Sequence, residues 1–306
     1  MLDFSGRVAI VTGAGRGVGR EHALMLGSRG CRVVVNDLPE KDGGNAGPAH
    51  QVVKEIIAAG GTAVADENSI IGGADKVVGT AIEAFGQLDI VINNAGTTDN
   101  GWFEDMSLER WRKQVDLHLL SYVDMCRAAL PHLKASGAGR IINTYSGATC
   151  GIILHSNYAA AKSGLIGFSR CLALEVEKHG IQVNCIGPNA RTRMQDPLDE
   201  RILPTLEKYF PPVHIAAFVT WLAHQDTRVH NEIFEVGGGV VARMTFAHYP
   251  FVHADEATPE AWTKKAAEVV SSEGDLATVS STLEMGMHEF KEVIPGFSMD
   301  DLDSLI

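Results

Sequence analysis

The chain has 306 residues, 45% of them hydrophobic, enough for one large sheet-and-helix core with an appendage. Its formal net charge of −12 argues against nucleic acid or an anionic membrane surface as the main partner. The five cysteines are widely spaced without a CxxC pair, and read as buried free thiols of a reducing compartment. No apolar run has the length of a transmembrane helix, Met1 to Ser5 leaves no room for a signal peptide, and Asp303 to Ile306 lacks the peroxisomal tripeptide. A cytoplasmic protein is the expectation.

The first element is Val8-Ala9-Ile10-Val11, apolar on both faces as a buried parallel strand requires. It runs into Thr12-Gly13-Ala14-Gly15-Arg16-Gly17-Val18-Gly19, and Arg20 to Arg29 reads as a helix. Glycines at 13, 17 and 19 allow a sharp turn and close backbone approach, and the helix N-terminus offers free N–H groups to a pyrophosphate. Cys31 to Asn36 is a second strand ending at Asp37, where a carboxylate can accept from both ribose hydroxyls and repels a 2′-phosphate. Arg16 pulls the other way, since a cation can pair with that phosphate. Asp37 carries more weight, and NAD is expected over NADP.

Leu38 to Pro48 is a loop by composition, and Val52, Val53, Ile56 and Ile57 mark a helix stopped at Gly60-Gly61. Thr62 to Ala65 is a strand, Ala74 to Phe85 a helix, and Leu88 to Ile92 a strand closing on Asn93-Asn94-Ala95-Gly96. Ser107 to Leu133 reads as one long helix, Arg140 to Asn143 as a strand, and Ser156 to His179 as another long helix. Ile181 to Ile186 is a strand, Pro212 to His224 a helix, and Ile233 to Val236 a strand before Gly237-Gly238-Gly239. This alternation predicts an α/β, doubly wound parallel sheet with helices on both faces over residues 1–240. Residues 241–306 break it. Thr258-Pro259-Glu260 and the capping box Ser281-Thr282-Leu283-Glu284 each start a small amphipathic helix, and such helices need a body or a neighbouring subunit to dock on.

Ser146, Tyr158 and Lys162 are the candidate catalytic set. Tyr158 and Lys162 are four apart at the start of a helix and share a face. A free phenol has a pKa of about 10, too high for a base at neutral pH, and a nearby ammonium and an oxidised nicotinamide would favour the phenolate. A serine hydroxyl can then hold the substrate oxygen while the tyrosine moves its proton. Twelve histidines include no pair at metal-ligand spacing, so no metal is expected, and without a Gly-x-Ser-x-Gly elbow a hydrolase is not.

With Thr12-Gly13-x-x-x-Gly17-x-Gly19, Asn93-Asn94-Ala95-Gly96, Ser146 and Tyr158-Ala-Ala-Ala-Lys162, the chain resembles the short-chain dehydrogenase/reductase family over about residues 3–240. Within it, Val35-Asn36-Asp37-Leu38, Ala63-Val64-Ala65-Asp66, Pro188-Asn189-Ala190 and Phe234-Glu235-Val236-Gly237 are most similar to the (3R)-hydroxyacyl-CoA dehydrogenase domains of peroxisomal multifunctional enzymes. The resemblance implies a Rossmann-type fold and assigns roles. Tyr158 would be the proton donor and acceptor, Lys162 would hold the nicotinamide ribose and tune Tyr158, and Ser146 would orient the substrate. Asn94 would lie beside the cofactor, Ser69 and Ile70 beside the adenine, and Thr192 near the carboxamide or pyrophosphate. His118 stands where most members have an asparagine that anchors a water for proton relay, and a packed core histidine is the other reading. A dimer or tetramer packed through the two long helices is also implied.

The expected reaction is hydride transfer between NAD and a secondary alcohol, first a (3R)-3-hydroxyacyl-CoA. A steroid or other bulky hydrophobic alcohol is the alternative, favoured by Trp102-Phe103 and by the apolar Ile152-Ile153-Leu154. A non-catalytic NAD-sensing protein is the alternative of another class. Arg191, Arg193 and Arg201 border the substrate loop and could meet an acyl-CoA phosphate. If they do, replacing Arg193 and Arg201 by alanine raises KM for a CoA thioester and leaves KM for a free alcohol unchanged. Equal changes in steady-state kinetics for the two substrates would remove CoA from consideration.

Overall fold

The computed structural model describes residues 2–40, 47–192 and 201–294. In chain order the elements are β1 Val8–Thr12, α1 Gly17–Gly27, β2 Arg32–Asn36, α2 Pro48–Ala58, β3 Thr62–Asp66, α3 Ala74–Phe85 and β4 Ile90–Asn93. There follow α4 Leu108–Val115, α5 Ser121–Ser136, β5 Arg140–Thr144, α6 Ser156–Val176, β6 Gln182–Asn189, α7 Leu203–Tyr209, α8 Val213–Ala223, β7 Ile233–Gly237 and β8 Val240–Met244. The last are β9 Phe246–His248, α9 Pro259–Val269, β10 Ala277–Val279 and α10 Thr282–Val293. The chain divides into two compact units, Met1–Arg243 and Met244–Ile306.

In the first unit the sheet order is β3-β2-β1-β4-β5-β6-β7-β8, with β1 to β7 all paired in parallel. Strands buried on both faces supply two cores by alternation. Val8 and Ile10 face a layer containing Val77 and Ala81 of α3, Met125 and Leu133 of α5, and Leu165 of α6. Ala9 and Val11 face Leu26 of α1, Ile56 of α2, and Ile215 and Val219 of α8. The chain leaves β1 for β2 on one side, and β4 returns on the other side of β1. The loops after β1 and β4 therefore diverge, which is where an open α/β sheet leaves a crevice for a ligand.

Several expectations are corrected. The span Ser107 to Leu133 is not one α-helix: a π-helical turn, Asp116–Leu120, separates α4 from α5. The wider turn frees backbone carbonyls, and Ser121 donates to Leu117 O at 2.6 Å. An inserted residue changes the hydrogen-bond ladder and leaves the apolar spacing nearly intact, so the sequence pattern did not reveal it. Strand β8 was not expected either. All five of its residues are exposed, so the pairing of a sheet edge, with no burial pattern, defines it. The short α7 was likewise not read from the sequence. Of the cysteines, Cys150 and Cys171 are exposed. Cys171 lies off the buried stripe of α6 (Leu165, Ser169, Leu172, Val176), and Cys150 ends a surface turn.

The second unit holds the antiparallel pair β9–β10 and the two helices. Thr258 caps α9 by accepting from the Ala261 N–H (3.2 Å), and Ser281 caps α10 by accepting from the Glu284 N–H (3.1 Å). Glu284 reaches back to the Ser280 N–H, one residue before the cap. Among the described residues no helix is long and apolar enough to cross a membrane.

Arg140, at the start of β5, is buried and donates to the carbonyls of Ala138, Gly139, His224, Gln225 and Thr227. It ties the central strand to the segment after α8. Arg140→Met removes these five buried hydrogen bonds to a charged donor and is expected to lower the unfolding free energy by about 3 kcal/mol, measured by urea denaturation. An unchanged midpoint would contradict this account.

Candidate active site

The glycine loop is held from three sides. Gly13 and Gly17 have positive φ (62° and 55°), a region that side chains disfavour. A Cβ on Gly13 would fall 2.7 Å from the Ala95 Cα, and one on Gly19 would fall 2.2 Å from the Gly13 carbonyl oxygen. The loop therefore packs against the turn after β4 only because these side chains are missing. Asn94 fastens the same junction, donating from Nδ2 to Thr12 O (3.0 Å) and Gly13 O (3.2 Å). Thr12 Oγ1 accepts from the N–H groups of Asn94 and Ala95.

Helix α1 has no side-chain cap and no acidic residue in its first turn. Its leading N–H groups, near Arg16, Gly17, Val18 and Gly19, have no capping side chain, and the macrodipole favours an anion there. Thr192 lies over this end, its Cγ2 3.4 Å from where a Gly17 Cβ would stand. Asp37 closes the loop: its Oδ2 accepts from Gly15 N–H (2.9 Å) and its Oδ1 from Leu38 N–H (2.9 Å). Arg16 forms an ion pair with Glu40. Ser69 Oγ accepts from Ile71 N–H, while Ile70 is buried in the core beside Ala74 and Val77. The donors, the uncapped helix end and the closely packed glycines fit a dinucleotide.

At the other end of the crevice, the end of β5 and the start of α6 bring Ser146, Tyr158 and Lys162 together. Lys162 is 2% exposed, and its Nζ donates to Thr144 O (2.5 Å) and to the Tyr122 hydroxyl (3.4 Å). That nitrogen lies 5.9 Å from the centre of the Tyr158 ring. Burial pushes the Lys162 ammonium down to about 7. Burial also raises Tyr158 above the usual phenol range, and its hydrogen bond with Ser146 works in the opposite direction. The expectation that the lysine acidifies the phenol is thus not met by the protein groups alone. Desolvation dominates both residues, and Lys162 directs its shortest bond at a carbonyl.

His118 lies in the π turn with its ring edge-on to Tyr158, centroids 4.8 Å apart. Its Nε2 is 2.6 Å from Thr97 O; a carbonyl only accepts, so Nε2 carries the proton and Nδ1 is a bare acceptor with no protein partner. Burial, then the Lys162 charge, push its pKa down to about 3, so the ring is neutral at physiological pH. It is a core histidine packed against the Tyr158 ring.

Sequence reasoning missed Tyr122, Thr144 and Asn157. Tyr122 donates to Ala95 O (2.9 Å) and receives Lys162, so it links the two ends of the crevice. Its spacing of four from His118 was the available signal. Asn157 donates to Asp99 O (3.0 Å) and accepts from Tyr158 N–H (2.7 Å), and Arg110 clamps the Asp99 carboxylate. Trp102, Phe103, Ile152 and Ile153 are exposed on two loops joined by Gly101 N–H to Leu154 O (3.0 Å). Arg191 donates to Thr192 O and pairs with Glu207, and Arg201 is exposed, while Arg193 lies outside the described residues.

The family model "short chain dehydrogenase" matches residues 7–202, and the chain belongs to that family of nicotinamide-dependent oxidoreductases. The peroxisomal hydratase-dehydrogenase-epimerase of Saccharomyces cerevisiae is 42% identical over 248 residues, 79% of this chain and 27% of the yeast protein. The solved structure of full-length peroxisomal multifunctional enzyme type 2 from Drosophila melanogaster is 31% identical with a TM-score of 0.79, over 96% of this chain and 50% of the fly protein. A short chain dehydrogenase from Mycobacterium avium is 34% identical with a TM-score of 0.79, over 90% of this chain and 98% of that one. The chain thus spans about a quarter of the yeast relative and half of the fly one. These relatives overturn the cytoplasmic expectation, because the yeast and fly proteins are named as peroxisomal. Compartment is read by receptors from short addresses, and the absence of one at the ends of this sequence says nothing about it.

The depressed Lys162 pKa has a sign in stability. The unfolded chain keeps this proton up to about pH 10.5 and the folded protein releases it near pH 7, so the unfolded state binds more protons between them. The unfolding free energy of the wild type, relative to Lys162→Met, is expected to rise as pH goes from 7 to 10. A difference that falls over that range in denaturant titrations would refute the buried-lysine assignment.

Proposed function

We propose that the chain oxidises the hydroxyl of a (3R)-3-hydroxyacyl-CoA with NAD. The observation that carries this reading is the convergence of Ser146, Tyr158 and Lys162 at the crevice that the β1–β4 switch opens. The substrate oxygen sits between the Ser146 and Tyr158 hydroxyls. As the phenolate, the form a bound cationic nicotinamide would favour, Tyr158 takes the substrate's hydroxyl proton and becomes the phenol, and Ser146 donates to the substrate oxygen and keeps it within reach. Lys162 holds the end of β5 through Thr144 and offers its charge to Tyr158 and to a cofactor ribose. When bound, the nicotinamide ring supplies the hydride acceptor.

NAD is favoured over NADP by charge. Asp37 closes the glycine loop, and the one cation in that loop, Arg16, is already paired with Glu40. A 2′-phosphate would meet carboxylates there. The CoA thioester is supported by the yeast and fly relatives, whose names also support a peroxisomal compartment. A second reading, a steroid or other bulky hydrophobic alcohol, is favoured by the exposed Trp102, Phe103, Ile152 and Ile153. Exposed Leu120 and Leu174, on the two long helical segments, support a homo-oligomer assembled through them.

The test is absorbance of reduced nicotinamide with a panel of (3R)-hydroxyacyl-CoAs, steroids and simple secondary alcohols. Tyr158→Phe is expected to lower kcat at least about a hundredfold, the lower end of what proton transfer contributes, while NADH binding changes less than about threefold. Asp37→Ser is expected to shift the NAD to NADP preference by about tenfold, ~1.4 kcal/mol. Cofactor binding without turnover, unaltered by Tyr158→Phe, would instead mark a dinucleotide sensor.

A further inference from the structure

Two residues flanking Tyr145 hold the reactive pair. The Thr144 carbonyl receives Lys162, and the Ser146 hydroxyl is bonded to Tyr158. Ser146 has a second task, since its Oγ accepts from Ala148 N–H (3.2 Å) and caps the short 3₁₀ turn Gly147–Cys150. Its hydroxyl points correctly only while that turn keeps its place on the end of β5.

Tyr145 lies between them and faces elsewhere. Its N–H reaches Ile186 O (2.8 Å), extending the β5–β6 ladder one residue past Thr144, and its side chain is buried. Thr144 is in register with Ile186, and Gly187 with Glu235, so Tyr145, Gly187 and Glu235 form one row across β5, β6 and β7. Residues in such a row project to one face of the sheet. Gly187 has no side chain to offer, and a Cβ there would fall 2.5 Å from Glu235 Oε1. Across that gap the Tyr145 hydroxyl donates to Glu235 Oε1 at 2.6 Å, spanning the intervening strand. Gly147, the residue after Ser146, lies under the same carboxylate, with its would-be Cβ 3.6 Å from Oε1.

A half-buried carboxylate joined to a buried phenol costs desolvation that a phenylalanine on an apolar partner would not. Burial indeed raises the Glu235 pKa, and the Tyr145 bond only partly offsets it. What the pair provides is direction: a phenol in hydrogen bond with a fixed acceptor has one ring orientation and one height above the sheet.

We infer that Glu235 is a positioning residue for Ser146, acting through the Tyr145 hydroxyl across the gap left by Gly187 to fix the turn that aims Ser146 at Tyr158. The inference rests on the dehydrogenase reading above. Four variants test it: Tyr145→Phe, Glu235→Ala, the two combined, and Glu235→Gln, whose amide oxygen can still accept the phenol proton. Each is assayed for kcat, for NADH affinity by fluorescence and for thermal midpoint. Tyr145→Phe and Glu235→Ala are each expected to lower kcat about tenfold, with NADH Kd within about twofold and no further loss in the double variant. Glu235→Gln keeps kcat within about threefold of wild type. Ultraviolet titration of the Tyr158 phenol, as the difference from the matching Tyr158→Phe protein, reads the geometry without turnover. Its pKa rises in Tyr145→Phe because the Ser146 bond that lowers it is weakened.

Unchanged kcat in Tyr145→Phe, additive losses, or kcat and NADH affinity falling together would each overturn the inference, as would a Tyr158 titration that does not move. A wild-type protein that binds NADH and oxidises no secondary alcohol would sink the dehydrogenase reading alone. The titration would still decide whether Glu235 positions Ser146.

Discussion

A buried lysine bound to a strand-end carbonyl is the constraint around which this molecule is arranged. Lys162 is cut off from water, and its Nζ is satisfied by Thr144 O and the Tyr122 hydroxyl. A buried amine without partners would be costly, so the end of β5, the start of α6 and the inner face of α5 must keep one mutual placement. Tyr122 passes the constraint on through its bond to Ala95 O, on the turn where Asn94 and Thr12 fasten the glycine loop. The catalytic candidates and the candidate dinucleotide crevice are thereby tied into one hydrogen-bonded frame.

The frame's polar groups differ in how much water they keep, and this sorts their roles. Lys162, His118 and Tyr158 are all shifted against their charged forms by burial. A site whose groups resist charging suits a reaction in which one proton moves between hydroxyls while charge develops only transiently. A cationic ring bound nearby would act on a phenol already short of competing solvent, where electrostatic effects are strongest. The π turn serves the same end, since it carries His118 to Thr97 O and against the Tyr158 ring.

Much of this was legible in the residues. The strand Val8 to Val11, the glycines at 13, 17 and 19, and the four-residue spacing of Tyr158 and Lys162 each carry a local physical requirement, and the structure places them where that requirement is met. The two caps at Thr258 and Ser281 were equally readable, because a cap is a contact within one turn of chain. What escaped is non-local or unpatterned. Tyr122 reads as one more apolar position of a helix, and beyond its spacing of four from His118 its hydroxyl's partners are what mark it out. The π turn alters hydrogen bonding while sparing apolar periodicity, and β8 is an exposed edge with no burial pattern to read. The row Tyr145–Gly187–Glu235 joins three strands whose register nothing local specifies.

The sequence by itself determined the alternation of strands and helices, the glycine loop and the candidate Ser146, Tyr158 and Lys162. Each follows from residue type at short spacing, where backbone geometry alone relates one side chain to the next. Tertiary structure alone decided which carbonyl receives Lys162, that burial rather than the lysine governs the Tyr158 phenol, and which carboxylate reaches past Gly187 to Tyr145. Those outcomes depend on strand register and on exclusion of water, which arise only when distant segments pack together.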